Sequence, residues 1–160
     1  MVDVEELEQR LQRLEDLTEI QQLFIDYGRH LDHGDFAAYA ALFADDAELL
    51  LGPVARARGR AEIEAAMAQA LAGQVGASVH IISSPIIHLD GDSATAEVMW
   101  TALHRDGHGK PVVSMVGRHL DDLVRADGRW RIRRRRGVID IPSTYAPPAG
   151  PGSRKPDTSL

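Results

Sequence analysis

The sequence contains no cysteine among its 160 residues. This excludes disulfide bonds and thiol chemistry and fits a reducing compartment, so we expect a cytoplasmic protein. No stretch approaches the roughly 20 consecutive apolar residues that a transmembrane helix needs. The N-terminus, MVDVEELEQRLQRLEDL, is too charged for a signal peptide. We therefore expect no membrane partner.

Acidic residues outnumber basic ones, 24 to 18. The net charge is −6, which argues against a nucleic-acid partner. The one basic run, RIRRRR at residues 131–136, follows Trp130 and is typical of a strand. A chain of this length can bury one core without cross-links. We expect a single domain over residues 1–142 and a flexible tail over the Pro/Gly-rich residues 143–160.

The first part of the chain has helical periodicity. Apolar residues three or four positions apart predict one helix from Val4 to His33, ended by Gly34. Asp35 is placed to cap a short second helix that carries Phe36, Tyr39, Leu42 and Phe43, and the Ala-rich segment after Gly59 predicts a third. Between them, AELLLG predicts a strand. The apolar stripe of the first helix comprises Leu7, Leu11, Leu14, Leu17, Ile20, Phe24, Tyr27 and Leu31.

From Val79 onward the pattern is typical of strands. The segments VHIISSPIIHL, SATAEVMWTALHR, PVVSMVGRHLDDLVR and RWRIRRRRGVIDI are separated by short glycine turns, which predicts an antiparallel sheet. The sequence thus indicates an α+β fold, in which a curved, mostly antiparallel sheet wraps on three N-terminal helices. Such a half-open cone leaves a small-molecule pocket at its mouth.

A pairing of Asp32 with His80 is the main candidate for chemistry. Asp32 lies near a helix C-terminus, where the helix dipole disfavours a carboxylate, so it needs a compensating partner. His80 begins a strand, and alternation with Ile82 and Ser84 directs it inward. The carboxylate would fix the ring tautomer and make His80 a general base. Gly28, one turn before Asp32, would leave space above it.

Other residues could contribute to binding. We expect His104, His119, Trp100 and Phe24 to contact the substrate, with Gly117 opening space beside His119. His30 and His33 are three residues apart on a helix, but no metal-binding signature accompanies them, so we expect neither a metal nor another cofactor. Among the arginines of the basic run, alternation alone cannot choose one that faces the pocket.

Three quoted segments carry a resemblance to a known family. YGRHLDHGDFAAYAALFADDAEL, VHIISSPIIHLDGDSATAEV and GRHLDDLVRADGRWRIRRR resemble, in order and spacing, the SnoaL-like branch of the NTF2-like superfamily, over about residues 17–140. The resemblance implies a cone-shaped fold. Within the branch it is closest to three lyases: scytalone dehydratase, bile acid 7α-dehydratase and hexachlorocyclohexane dehydrochlorinase.

The resemblance to these lyases also implies roles for residues. Asp32 and His80 stand where the lyases have their catalytic pair, and Tyr27 stands where the bile acid enzyme has a tyrosine. The arginine that follows the tryptophan in the dehydrochlorinase aligns with Arg135, which would need a local bulge to face the pocket. His104 aligns loosely with a second histidine of scytalone dehydratase.

We therefore hypothesise a cofactor-independent lyase, a dehydratase or related enzyme, that acts on a small, largely apolar molecule. An isomerase or polyketide cyclase of the same fold stays open, as does a non-catalytic binding or accessory role such as a ring-hydroxylating dioxygenase β subunit, because fold alone does not determine function. Because the related lyases are trimers and VVSMV places apolar residues on both strand faces, we expect a homo-oligomer, a trimer rather than a dimer.

Overall fold

A computed structural model describes residues 3–141 of the protein; the predicted flexible tail at residues 143–160 lies outside this range, as do residues 1–2 and 142. The helices and strands follow one another in this order: α1 (Val4–His33), α2 (Phe36–Ala41), β1 (Phe43–Leu50), β2 (Arg56–Arg58), α3 (Gly59–Ala70), β3 (Ser78–Asp90), β4 (Ser93–Arg105), β5 (Pro111–Ala126) and β6 (Arg129–Ile141).

The described strands form one six-stranded sheet in the order β2-β1-β6-β5-β4-β3. All neighbouring pairs are antiparallel except β1 and β6, which are parallel. The sheet is curved and does not close into a barrel, and the helices pack in its concavity. The predicted α+β fold is therefore confirmed.

The helix ends at Gly34 and Asp35 follow the predicted capping chemistry, and Asp3 adds a cap that was not predicted. Asp3 caps α1 by accepting a hydrogen bond from the backbone N–H of Glu5, and Gly34 ends the helix in the left-handed region at φ 71°. Asp35 caps α2 by accepting from the N–H of Ala38 at 3.0 Å. The chain therefore turns sharply between α1 and α2.

The structure differs from the sequence prediction around β1. Phe43, expected in the second helix, begins β1 and pairs with Ile132 of β6, while the Leu42 carbonyl accepts a hydrogen bond from the Ile132 N–H. Here tertiary pairing overrides the helical spacing. The short strand β2 was not predicted, because three residues carry too little periodicity.

The single apolar stripe expected along α1 is wrong for its first half. Leu7, Leu11 and Leu14 are exposed, because α1 extends beyond the sheet and these residues lie on the side of the helix opposite its core face. The core instead contains residues from the second half of the helix: Ile20, Leu23, Phe24, Tyr27 and Leu31.

None of the helices described in residues 3–141 has the length and hydropathy of a membrane-spanning segment.

A cluster around Asp16 fixes α1 where it meets the sheet. The Asp16 carboxylate accepts hydrogen bonds from Arg125 Nη2 at 2.7 Å, Trp130 Nε1 at 3.1 Å and Gln12 Nε2 at 3.0 Å. Burial disfavours the charged carboxylate, but these hydrogen bonds more than offset that effect and lower the pKa of Asp16. The charged form of Asp16 therefore stabilises the fold.

We predict that Asp16→Asn lowers the free energy of unfolding at pH 7 by about 1–3 kcal/mol, because Arg125 loses a buried, charged partner. Because the pKa of Asp16 is lower in the folded than in the unfolded state, the charged carboxylate stabilises the fold fully above the unfolded-state pKa. This stabilisation is lost as the pH falls through the folded-state pKa. Urea unfolding from pH 7 downward should therefore show the difference from the wild type shrinking below about pH 4. Asp92→Asn, which removes the exposed partner of the same arginine, should cost less. An equal loss in both variants would contradict this account.

Candidate functional site

The curved sheet and the helices enclose a cavity of about 420 Å³. Its walls are mainly apolar and include Leu31, Met67, Leu71 and Ala102. Of the eight predicted site residues, five line this cavity: Tyr27, His80, Trp100, His104 and His119. The structure thus brings most of the predicted site together at one place.

Asp32 and His80 form the predicted pair. Asp32 Oδ1 lies 2.8 Å from His80 Nδ1, and the two carboxylate oxygens also accept from the backbone N–H of His80 at 3.0 and 3.1 Å. Because the carboxylate only accepts, Nδ1 carries the ring proton. Nε2, which has no partner among the described residues, is left as the basic nitrogen of a side chain that lines the cavity.

The close approach of α1 to β3 makes this pairing possible. A Cβ on Gly28 would lie 2.9 Å from Cγ1 of Ile82 and 3.4 Å from the carbonyl oxygen of His80. The prediction that Gly28 leaves open space above Asp32 is therefore wrong, because Ile82 fills that space. The missing side chain instead lets β3 pack directly against the helix.

The strand that carries His80 departs from strict alternation beyond Ile82. Ser84 has a positive φ of 52°, and the pairing of β3 with β4 shifts between Ser83 and Ile86. Ser84 is exposed, so the expected inward run of His80, Ile82 and Ser84 is wrong at its last member. The bulge shifts the alternation, so that the inward-facing residues are His80 and Ile82 before it and Ile87 and Leu89 after it.

Tyr27 and His119 are adjacent in the cavity wall. Their ring centroids are 5.2 Å apart with an edge-to-face geometry. Burial raises the pKa of the Tyr27 hydroxyl, so it stays protonated and can donate a hydrogen bond. Burial, and after it the nearby Arg135 guanidinium and His80 ring, lowers the pKa of His119 well below its usual value. His119 is therefore neutral near pH 7.

Arg135 faces inward but does not line the cavity. The pairing of β5 with β6 shifts between Asp122 and Leu123, which leaves Arg133 as an extra residue and turns Arg135 into the interior. Arg135 donates two hydrogen bonds to Asp121, at 2.9 and 2.6 Å, and both side chains are fully buried. Its guanidinium lies 4.4 Å from the ring centroid of Tyr27.

His104 belongs to a second polar group in the cavity wall. The Ser114 hydroxyl donates to the Ala102 carbonyl at 2.9 Å, so its oxygen accepts from Nδ1 of His104 at 2.6 Å. Nε2 of His104 lies 3.1 Å from the side-chain amide of Gln74. His104 therefore contacts the cavity with both ring nitrogens already engaged.

Trp100 lines the cavity, whereas Phe24 does not. A Cβ on Gly117 would lie 2.5 Å from Cζ2 of Trp100, so the space that Gly117 provides is filled by the indole ring. The Trp100 ring stacks on His119 at a centroid distance of 5.7 Å. Phe24 is buried in the core, and the expected contact between Phe24 and a substrate finds no support in this position.

Sequence reasoning missed Asp121, Ser114 and Gln74. Asp121 could have been found, because it lies two residues after His119 and so shares its inward face. Ser114 stands at an irregularity in the pairing of β4 with β5 that alternation does not reveal, and Gln74 lies in a turn after α3. Among residues 3–141 no group of three or more acidic or histidine side chains is arranged to hold a metal ion.

Two larger clefts, of about 640 and 550 Å³, lie elsewhere on the sheet. They are lined in part by charged residues such as Glu48, Asp122 and Arg134, and contain none of the predicted site residues. The smaller cavity is the better candidate because only there does a histidine with an oriented ring meet a mainly apolar space.

Comparison with known proteins agrees with this architecture. An uncharacterised protein of Mycobacterium tuberculosis is 29% identical over 137 residues, which cover 84% of this chain and 88% of that protein. An NTF2-like protein with a cystatin-like fold from Novosphingobium aromaticivorans has a TM-score of 0.80 at 29% identity, over 87% of this chain and 91% of the other. A candidate scytalone dehydratase from the same organism has a TM-score of 0.67 at 24% identity, over 81% and 87% of the two chains.

The family assignment rests on the largest part of the chain. The model of the SnoaL-like domain matches residues 12–136, a range that includes α1 from its third turn, all of the cavity-lining histidines and most of β6. The fold of the solved relatives is the same curved sheet on helices. The protein is therefore a member of the SnoaL-like family and has an NTF2-like fold.

Proposed function

We propose that the protein is a cofactor-independent lyase that acts on a small, largely apolar molecule. The observation that supports this is the Asp32–His80 pair, which presents an unpaired ring nitrogen to a mainly apolar cavity. A non-catalytic binding module of the accessory-subunit type needs no such oriented base. The pair therefore favours catalysis over the accessory role.

In the proposed reaction, Nε2 of His80 takes a proton from a substrate carbon. The C–H electrons form a carbon–carbon double bond as the leaving group departs from the neighbouring carbon with its electron pair. Asp32 holds the ring tautomer and stabilises the imidazolium. Tyr27 donates a hydrogen bond to the departing group or to a substrate oxygen. An isomerase or cyclase would share the proton abstraction.

Arg135 has a different part from the one that the lyase resemblance implied. Because Asp121 holds it beneath the Tyr27 ring, Arg135 positions Tyr27 and supplies positive charge without touching the substrate. His119, Trp100 and His104 line the cavity and bind the substrate by shape, since both ring nitrogens of His104 are already engaged. The neutral state of His119 keeps a second cation away from the imidazolium that forms at His80.

We predict that His80→Ala abolishes proton abstraction. A panel of cyclic ketones and β-hydroxyketones in D₂O would be followed by NMR for exchange of the proton next to the carbonyl, and by absorbance for a new conjugated double bond. Loss of the base should lower the rate about 10²–10⁴-fold. The matched control is His88→Ala, an exposed histidine on the same strand, which should keep the wild-type rate. A wild-type rate in His80→Ala would refute the proposal.

We also predict that Asp32→Asn severely slows the reaction, on the order of 10²–10⁴-fold, although the side chain keeps its size. The amide can present its NH₂ group to the ring and hold the wrong tautomer, and it cannot neutralise the imidazolium. Asp26→Asn, on the same helix and hydrogen-bonded only to Gln22, is the control and should retain activity. If the two variants react equally fast, the Asp32–His80 pair is structural.

We further propose that the chain forms a homo-oligomer, a trimer rather than a dimer, through an apolar sheet face. This face consists of exposed residues on the side of the sheet away from the helices: Val79, Ile81, Met99, Val113 and Ile141. An exposed apolar patch that spans four strands is costly in water and marks an interface.

We predict that Ile81→Glu at this apolar sheet face lowers the solution mass. Light scattering at micromolar concentration should show an oligomer for the wild type and a smaller species for the variant. Thr95→Glu, which adds the same charge near the other end of the sheet, should leave the mass unchanged. A monomeric wild type would refute the assembly.

A further inference from the structure

The N-terminal half of α1 carries apolar side chains that nothing in residues 3–141 covers. Val4, Leu7, Leu11 and Leu14 are 67, 48, 57 and 62% exposed, and Ile25, three turns further along the same side of the helix, is 50% exposed. Five leucine-sized side chains along one ridge of a helix need a covering surface.

The protein's own core cannot be that surface. On a helix of 3.6 residues per turn, these exposed positions point roughly 170° away from the buried ones, which include Ile20, Phe24 and Tyr27. The Asp16 cluster also fixes the rotation of the helix, because Arg125 and Trp130 hold it against the sheet. The ridge therefore faces away from its own subunit along the whole of α1.

The spacing of the ridge is that of a coiled-coil seam. Apolar residues occupy the a positions Val4, Leu11 and Ile25 and the d positions Leu7 and Leu14 of three heptads, and the polar Thr18 and Gln21 occupy the a and d positions between Leu14 and Ile25. We refer to these seven residues as the α1 seam. Val4 and Ile25 at two of the four a positions and leucine at two of the three d positions favour two parallel strands.

Charge at the edges of the α1 seam points to the same arrangement. In a parallel pair each g position faces the next e position of the partner helix, which would place Arg10 of each copy beside Glu15 of the other. Asp3 and Glu8 are the exception, since both are acidic, but Asp3 is engaged in capping the helix. If two α1 helices paired antiparallel, with Leu7 of one packed against Leu11 of the other, like charges would face each other across the seam. Such a pair would also leave Ile25 uncovered.

The chain's own tail is a poor alternative occupant. The tail follows Ile141, the last residue of β6, which lies twelve residues after Arg129. Its start is therefore roughly 40 Å from the Arg129 end of β6, which is the end that contacts α1. Its sequence, PSTYAPPAGPGSRKPDTSL, offers no apolar residues at helical spacing. The match to the model of the SnoaL-like domain begins at residue 12, so Val4, Leu7 and Leu11 lie outside the matched range.

We propose that the α1 seam docks on the same seam of a second copy of this chain, as a parallel two-stranded coiled coil. Because the core faces of the two helices point outward from the seam, the two sheets lie on opposite sides and do not collide. This contact is independent of the apolar sheet face and of the cavity. It therefore joins subunits two by two, whatever assembly the sheet face forms.

The first test is Leu11→Glu, which places two carboxylates face to face in the middle of the seam. Sedimentation equilibrium should show a twofold lower mass than for the wild type, with circular dichroism unchanged for the folded body. The control is Gln9→Glu, which adds the same charge on the same helix outside the seam and should keep the wild-type mass. An unchanged mass in Leu11→Glu would overturn the proposal.

The second test uses the absence of cysteine from the chain. In a parallel pair, Leu14→Cys brings two identical thiols together at a d position, so diamide should convert most of the protein into a disulfide-linked dimer. Gln9→Cys, on the side of the helix opposite the α1 seam, should stay uncrosslinked. No crosslink in Leu14→Cys would rule out the parallel seam even if Leu11→Glu changed the mass.

Discussion

The arrangement of the cavity depends on the three hydrogen bonds that Asp32 accepts from a single residue, His80. Asp32 lies in the last turn of α1, where the carbonyl ends of the helix make a carboxylate unfavourable. One backbone N–H and one imidazole of the edge strand β3 offset that cost. The same contacts hold the edge of the sheet against the helix and close one side of the cone. The proposed catalytic pair is therefore also an architectural link.

A second constraint sets the opposite wall. Asp121 and Arg135 lie directly across from each other on β5 and β6, and neither is exposed. An isolated charge of either kind would be very costly in the interior, so each requires the other. This requirement explains why the bulge around Arg133 exists, because strict alternation after Ile132 would expose Arg135. The buried cation then supports the Tyr27 ring, which links the register of two strands to a residue of the cavity.

Sequence patterns predicted the parts of the structure that repeat and missed those that depend on a single irregular residue. Long periodic segments predicted α1 and the four long strands, and helix-dipole reasoning predicted the pairing of Asp32 with His80. Periodicity could not reveal that Ser84 leaves the inward face, or that Gln74 reaches His104 from a turn. It also could not show that Ile82 fills the space beside Gly28, since close packing depends on the distance between two elements.

The apolar pattern of α1 shows why one periodicity can mislead. Apolar residues spaced by three and four continue from Leu7 to Leu31, so the sequence reads as one stripe, although the stripe passes from the exposed side of the helix to its buried side near Asp16. The change follows from two consecutive steps of three, Leu14 to Leu17 and Leu17 to Ile20, because each falls short of a full turn and rotates the stripe around the axis. Spacing shows that a helix has an apolar side, but only the position of its polar anchor shows which side faces its own core. Here the anchor is Asp16, held by Arg125 and Trp130, and it divides α1 into a half that builds the cavity and a half that is free to contact something else.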